Sequence, residues 1–185
     1  MKRSVSVWLG LMCLLVGAWA QADGVKVCYG YGCRQQAQVA VLPEQAVKLA
    51  QFFNQVSDAA SERAAIALAM QAMYQLAGQH TPIHQDKGRN VADGTAEGRM
   101  DCVDHSQTDT EFLQYMGRQG WLRHHQVLAP AYRAPWFFDL HYASQVLDQD
   151  SGQAWVIDSW FHDFGALPEV VPLSQWTEGW SPEPH

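Results

Sequence analysis

Residues 98–104 read Gly-Arg-Met-Asp-Cys-Val-Asp and contain the cysteine from which the fold is inferred. Two further short stretches follow, His-Tyr-Ala at residues 141–143 and Val-Ile-Asp at residues 156–158. A cysteine, a histidine and an aspartate in this order are the residue types of a thiol nucleophile, its base and the group that orients the base. Cys102, His141 and Asp158 are therefore the candidate catalytic residues.

A helix is expected to begin at Cys102, because Asp101 is a preferred N-cap residue and an apolar periodicity follows it. Gly117 or Gly120 is placed to end this helix. Thr108, with a glutamate three residues later, forms a second capping signature. A later start of the helix, or a kink at this point, therefore stays open.

Opposing electrostatic effects are expected at the thiol of Cys102. In the first turn of a helix, the unpaired amide groups and the helix dipole favour a thiolate. The carboxylates of Asp101 and Asp104 oppose it, because negative neighbours disfavour a second negative charge. A nearby imidazolium is therefore required, and His141 is the residue expected to supply it.

A β-hairpin is predicted for the segment that contains His141 and Asp158. Residues 140–147 and 153–158 flank the turn-rich stretch Asp-Gln-Asp-Ser-Gly at residues 148–152. With Gln149 and Asp150 at the tip, His141 lies directly opposite Asp158 on the same face, with Cβ atoms about 5 Å apart. A turn longer or shorter by one residue would make them a looser diagonal pair.

Two helices and a loop are predicted before Cys102. Pro43 starts a helix over residues 43–56, and an alanine and methionine stripe with helical spacing predicts a second helix over residues 61–77, with Gly78 placed to end it. The stripe is interpreted as core. Residues 79–100 turn polar and glycine-rich, which predicts a long loop, and such loops are often functional.

The first residues have the pattern of a secretory signal peptide. Lys2 and Arg3 precede an apolar run at residues 5–20, and small residues then allow cleavage after Ala20 or Ala22. We expect residues 1–22 to be the signal peptide and residues 23–185 to form a single domain. The expected location of the mature protein is the periplasm or the medium outside the cell.

Charge and hydropathy exclude several kinds of partner. Loss of Lys2 and Arg3 changes the formal net charge from −7 to −9, and no run of basic residues is left. Nucleic acid and anionic membrane surfaces are therefore poor candidates. No other apolar stretch reaches the ~20 residues of a membrane span, so no stable membrane insertion is expected after signal removal. The oligomeric state stays open.

Removal of the signal peptide leaves three cysteines, Cys28, Cys33 and Cys102. An odd number in an oxidising compartment implies a free thiol or an intermolecular bond. The segment Cys-Tyr-Gly-Tyr-Gly-Cys has two glycines that let it fold back, which favours a disulfide between Cys28 and Cys33. A bond from Cys102 to either partner stays open, as does a zinc half-site that lacks a convincing second half.

The histidines do not predict a metal centre. His105 lies three residues after Cys102, but no closely spaced cysteine or histidine pair completes a set of four ligands. The adjacent His124 and His125 would point to opposite faces of a strand. No metal and no cofactor are therefore expected.

Aromatic residues surround the predicted hairpin. Residues 130–138 lie between a strand expected at residues 121–127 and His141, and they either overhang a cleft or cover the edge of the core. Trp136 in this segment and Trp160, close to Asp158, are the candidate substrate-cleft residues. Trp176 and Trp180 are expected to pack the C-terminal tail against the domain.

Residues 98–160 resemble the transglutaminase-like superfamily of papain-type folds, in particular its bacterial cysteine peptidase branch. The resemblance consists of Gly-x-x-Asp-Cys-x-Asp, a His-Tyr-Ala that begins a strand, and a Val-Ile-Asp that ends the next strand. It covers about a third of the chain and implies an α+β fold with N-terminal helices packed on an antiparallel sheet. It also implies acyl transfer through a thioester, ended by water or by an amine.

The expected function is thus an exported cysteine-dependent peptidase, amidase or transglutaminase-like acyltransferase that acts on a peptide or protein amide. The backbone N–H of Cys102 is one expected oxyanion donor. Papain relatives use a glutamine a few residues before the cysteine as a second donor, and here Ala96 and Glu97 occupy that neighbourhood. The alternative is a catalytically inactive periplasmic binding or accessory protein on the same fold.

Overall fold

The computed structural model describes residues 23–91, 97–135 and 140–183. The predicted signal peptide, Ala96 and Trp136 lie outside these residues. The described chain is α+β, with antiparallel sheets and four α-helices. In this part of the protein, no helix is long and apolar enough to cross a membrane.

The strands form two antiparallel sheets, a two-stranded one of β1 and β2 and a four-stranded one in the order β3-β4-β5-β6. Two 3-10 turns, Gln51–Phe53 and Pro82–Gln85, accompany the helices. The elements in chain order are β1 (Asp23–Tyr29), β2 (Gln35–Val41), α1 (Pro43–Ala50), α2 (Ala59–Gly78), α3 (Cys102–Arg118), β3 (His125–Arg133), β4 (His141–Asp148), β5 (Ala154–Asp158), β6 (Glu169–Pro172) and α4 (Leu173–Thr177).

The first two helices match the predicted ones in type but not in length. α1 begins at Pro43 as predicted but ends at Ala50, where a 3-10 turn takes over. α2 begins two residues before the predicted start, because the carboxylate of Asp58 caps it by accepting the Ser61 N–H at 2.7 Å. The alanine and methionine stripe of α2 is buried in the core, which confirms its interpretation.

The β1–β2 hairpin was not predicted. Its buried valines, among them Val25, Val27 and Val39, belong to the same core as α2 and α3. The Cys28 N–H donates to Thr108 Oγ1 at 3.0 Å, which attaches the end of β1 to α3. The hairpin therefore places its connecting turn, residues 30–34, beside the start of α3.

The strand before His141 differs from the predicted one. β3 begins at His125 rather than at residue 121, and it continues through residues 130–133, which were expected in a segment overhanging a cleft or covering the core edge. Its register with β4 is broken between Leu128 and Ala131. This irregularity accommodates Pro130, which has no N–H to donate to the ladder.

The β4–β5 hairpin has a register that differs by two residues from the predicted one. Ser144 pairs with Ile157, and the same register continued by one residue puts Ala143, not His141, opposite Asp158. The cause is Asp148, whose Oδ1 accepts the N–H groups of Asp150 and Ser151 and so moves the tip of the turn. A shift of two residues keeps every side chain on its predicted face.

Candidate active site

Cys102 is the first residue of α3, as predicted. Oδ1 of Asp101 accepts the N–H groups of Val103 and Asp104, each at 3.0 Å, and so caps the helix. The alternative start near Thr108 is wrong, since the helix is continuous from Cys102 to Arg118. Cys102 is half-buried.

The predicted disulfide between Cys28 and Cys33 is confirmed. Among the cysteines of residues 23–183, Cys102 is the free one. A disulfide is compatible with export to an oxidising compartment.

His141 and Asp158 are hydrogen-bonded although they are not directly opposite. The distance from His141 Nε2 to Asp158 Oδ2 is 2.8 Å, and the two residues are 2 % and 1 % exposed. The side chains bridge the diagonal of the hairpin because both lie on the same face. The face was predicted correctly, whereas the direct pairing was wrong.

Asp158 is held by two further donors. The N–H of Trp160 donates to Oδ1 at 3.2 Å, and Nε1–H of Trp176 donates to Oδ2 at 3.0 Å. The carboxylate therefore has a fixed orientation toward His141. Sequence reasoning placed Trp176 in the packing of the tail and missed this contact, since no local pattern links α4 to the end of β5.

The imidazole of His141 interacts with both Asp158 and Cys102. Burial alone would lower its pKa, but hydrogen bonds to Asp158 and Cys102, together with their negative charges, raise the pKa of His141 to about 9. Because Nε2 is bonded to Asp158, Nδ1 is the nitrogen left for the thiol. At neutral pH this histidine is an imidazolium between two acidic groups.

Three aromatic rings enclose the imidazole of His141. The ring centroids of Trp160, Phe161 and Trp176 lie 4.5, 5.5 and 5.5 Å from it. These rings limit the access of water and fix the plane of the imidazole. Trp160 is thus beside the candidate base, while the other candidate cleft residue, Trp136, lies outside the described residues.

The turn between Cys28 and Cys33 binds the two carboxylates that flank Cys102. Its N–H groups at Tyr31 and Cys33 donate to Asp104 at 2.8 and 2.6 Å, and the N–H of Gly32 donates to Asp101 at 2.9 Å. Residues 30–33 all have positive φ, between 57° and 81°. Such a turn points successive N–H groups to one side and forms a concave anion site.

These contacts affect the charge of Asp104, the acidic neighbour of Cys102. Burial and the charge of Asp101 raise the pKa of Asp104 to about 6, against hydrogen bonds from the N–H groups of Asp101, Cys33 and Tyr31. Backbone N–H groups thus bind the carboxylate next to Cys102, although burial and Asp101 outweigh them in its pKa. The disulfide closes the turn that provides those dipoles.

Gly98 has a structural reason to be glycine. Its φ is +83°, and a Cβ at this position would overlap the carbonyl oxygen of Pro82. The next residues lead directly into the cap of α3, and the N–H of Met100 donates to Asp86 Oδ1 at 2.8 Å. The glycine that opens the motif thus sets the path of the backbone toward Cys102.

Within the described ranges, no three histidine, cysteine, aspartate or glutamate side chains are arranged to hold a metal ion. His105 is instead buried in a hydrogen-bonded cluster with Asp86 and Ser159. His125 is bonded to Glu62 at 2.9 Å.

The chain matches no family model, no curated protein and no solved structure. Its function is therefore inferred from the geometry of the residues described above.

Proposed function

We propose that this protein is an exported cysteine-dependent acyl-transfer enzyme with a papain- or transglutaminase-like arrangement of Cys102, His141 and Asp158. The observation that carries the proposal is the buried hydrogen bond of 2.8 Å between His141 Nε2 and Asp158 Oδ2, with Cys102 interacting with the same imidazole. A nucleophile, a base and an orienting carboxylate are the minimum set for thiol catalysis.

The first chemical step follows from the charges of these groups. The proton of Cys102 lies on His141 as part of a thiolate–imidazolium pair, and the Sγ thiolate attacks the carbonyl carbon of a peptide or side-chain amide. The C=O π electrons move to oxygen, and the N–H of Cys102 donates to the resulting oxyanion. Asp158 holds the imidazole in the orientation that this transfer needs.

The second step releases the amine. The imidazolium of His141 protonates the leaving nitrogen as the C–N bond breaks, which leaves an acyl thioester on Cys102. Water or a second amine then attacks the thioester carbon, with His141 again accepting a proton. The products are a carboxylic acid or a new amide, together with the regenerated thiol.

Export supports an amide substrate outside the cytoplasm. The predicted signal peptide and the Cys28–Cys33 disulfide agree with an oxidising compartment. The chemistry of a thiolate suits peptides and protein amides of that compartment, and it requires no cofactor.

Alkylation of Cys102 tests the proposal without a known substrate. We would measure the rate of reaction with iodoacetamide between pH 4 and 10, by mass spectrometry of the peptide that contains Cys102. At pH 6, where an ordinary thiol is almost entirely protonated, native Cys102 is expected to react at least about tenfold faster than in the denatured chain. His141→Gln should remove this difference, and a chelator should not change it.

Ordinary reactivity of Cys102 would contradict the enzyme proposal and favour a binding protein. If native Cys102 labels no faster than the denatured control, and His141→Gln changes nothing, the enzyme proposal is wrong. A periplasmic binding or accessory protein without turnover is then the function left. A covalent acyl adduct on Cys102 after incubation with a peptide mixture, absent in Cys102→Ser, would support turnover directly.

A further inference from the structure

Five polar side chains form a hydrogen-bonded cluster beside the candidate triad. They come from α2, the segment after Pro82–Gln85, α3 and the residue after β5. Four of them are buried and the fifth, Ser159, is half-buried. The five are Tyr74, Asp86, His105, Asp109 and Ser159.

Hydrogen bonds connect all five side chains of this cluster. The hydroxyl groups of Tyr74 and Ser159 donate to the two oxygens of Asp109, each at 2.7 Å. Each hydroxyl has one proton, so their oxygens can only accept from His105 Nδ1, at 3.1 and 2.7 Å. His105 Nε2 lies 2.9 Å from Asp86 Oδ2. Both ring nitrogens of His105 therefore face oxygen atoms of the cluster.

The charges around His105 favour its protonated form. Burial lowers its pKa, but the hydrogen bond to Asp86 and the charges of Asp86, Asp109 and Asp158 raise it above the usual value. Burial raises the pKa of Asp109 to about 6, against the opposing effect of His105 and of the two hydroxyl donors. Burial and Asp109 raise the pKa of Tyr74 well above its usual value, which keeps its hydroxyl a donor.

The cluster holds the start of α3 from two directions. His105 lies one helical turn after Cys102, and Asp86 connects to the segment before it. While Oδ2 of Asp86 binds His105, Oδ1 accepts the N–H of Met100 at 2.8 Å. One buried carboxylate thus binds the backbone N–H of Met100 before Cys102 and the side chain of His105 after it.

The same cluster reaches the His141–Asp158 pair. Ser159 directly follows Asp158, so the bond from His105 to Ser159 fixes the end of β5. Oδ1 of Asp86 also accepts from the Asn90 amide at 2.9 Å. The carbonyl oxygen of Asn90 in turn accepts from Trp160 Nε1 at 2.9 Å, and Trp160 packs against His141.

The cluster does not form a second catalytic centre. Ser159, His105 and Asp86 are the residue types of a serine triad, but the Ser159 proton is directed to Asp109. The adjoining cavity of about 10 Å³ has room for roughly one water molecule and not for a substrate. The cluster instead connects the start of α3, which contains Cys102, to the end of β5, which contains Asp158.

We propose that His105 is a positioning residue that fixes Cys102 relative to His141 and Asp158, through its bonds to Asp86 and Ser159. This inference rests on the proposed thiol chemistry. Loss of His105 would release the first turn of α3 from the end of β5 and misplace the thiol with respect to the imidazole. A misplacement of about 1 Å is enough to cost a large part of a catalytic effect.

The structure offers a matched control in His125. It forms a comparable bond to Glu62, 2.9 Å long, with both side chains fully buried. His125 pairs with Asp148, seven residues along β4 from His141, or about 23 Å at 3.3 Å per residue. His105→Gln removes a buried histidine one helical turn from Cys102, and His125→Gln removes one about 23 Å along the sheet from His141.

The measurement is the pH profile of Cys102 alkylation by iodoacetamide in the folded protein, with circular dichroism as the check of folding. His105→Gln is expected to slow alkylation at pH 6 about tenfold and to move the profile toward that of the denatured chain. His125→Gln should stay within twofold of wild type. Tyr74→Phe, which keeps the ring and removes the hydroxyl, should act in the same direction as His105→Gln and serves where that variant does not fold.

Three results would overturn the inference. If wild-type Cys102 is no more reactive than in the denatured chain, the proposed function fails and the positioning role fails with it. If wild type is reactive and His105→Gln and Tyr74→Phe match it, only the positioning role is wrong. If His105→Gln and His125→Gln slow alkylation equally, the effect is general loosening and not positioning.

Discussion

Nε1–H of Trp176 donates to Oδ2 of Asp158 at 3.0 Å, the same carboxylate oxygen that lies 2.8 Å from His141 Nε2. Trp176 is fully buried on α4, and its ring also contacts the imidazole. A residue near the C-terminus therefore orients the carboxylate and covers the histidine at the same time. The short C-terminal helix thus contributes directly to the geometry of the candidate site.

Replacement of Trp176 is expected to affect both stability and reactivity. Trp176→Phe removes one donor from a buried carboxylate, which should lower the free energy of unfolding by about 1–3 kcal/mol. It should also slow the alkylation of Cys102, because Asp158 and His141 lose a fixed orientation. Urea unfolding and the iodoacetamide rate measure the two effects.

Trp180→Phe is the control, since Trp180 packs on Phe161 and not on His141. Equal loss of reactivity in both variants would contradict the role of Trp176.

Stability should depend on pH through His141. Its pKa in the folded protein is about 9, above its usual value of 6.5. Its contribution is therefore fully present below pH 6.5 and is lost as pH rises through 9. The difference in free energy of unfolding between wild type and His141→Gln, measured in urea from pH 6 to 10, should shrink by roughly 3 kcal/mol over this window. A difference that stays constant with pH would show that the imidazolium is not stabilised.

The disulfide is expected to stabilise the turn beside Cys102. Replacement of both Cys28 and Cys33 by serine should lower the free energy of unfolding by about 2 kcal/mol, because the unfolded chain regains a short open loop. Dithiothreitol should destabilise the wild-type protein by a similar amount and leave the double variant unchanged. If the variant responds to dithiothreitol as wild type does, the reductant acts elsewhere.

Substitution of Gly98, the first residue of the motif at residues 98–104, is expected to destabilise the fold more than substitution of Gly120. Gly98 and Gly120 both have positive φ, but only at Gly98 would a Cβ overlap a neighbouring atom. Gly120→Ala should cost about 1 kcal/mol from backbone strain alone. Gly98→Ala should cost about 1–3 kcal/mol more, because the Pro82 carbonyl must move. Urea unfolding of the two variants checks this difference, and equal costs would mean that the Pro82 contact is relieved easily.

Local sequence signals predicted the parts of the fold that depend on neighbouring residues. The cap of α3 by Asp101 involves groups two and three residues apart, so the start of the helix at Cys102 was readable. The disulfide between Cys28 and Cys33 spans a short loop and was also predicted. The hairpin face shared by His141 and Asp158 follows from the two-residue period of strands, which any even shift of register preserves.

Three other features escaped prediction, two of them local and one that depends on residues far apart in the chain. The register of β4 with β5 differs by two residues because the side chain of Asp148 binds the turn. The β1–β2 hairpin was missed although Val25 and Val27 in β1, and Val39 and Val41 in β2, follow the two-residue period of strands. A sequence read alone also presents Asp104 as a negative neighbour of Cys102, whereas the structure shows it bound to the turn of residues 30–33.

The sequence alone determines which chemistry is available: a thiol at a helix start, a histidine and an aspartate on one face of a hairpin, and a disulfide-closed turn. Each of these follows from contacts within a few residues or from strand periodicity, which do not require the rest of the chain. The tertiary structure decides how that chemistry is held. Trp176 lies 18 residues from its partner Asp158, the turn at residues 30–33 lies more than 70 residues from Asp104, and His105 lies 54 residues from its partner Ser159. Only packing of the whole core brings such distant groups within hydrogen-bonding distance.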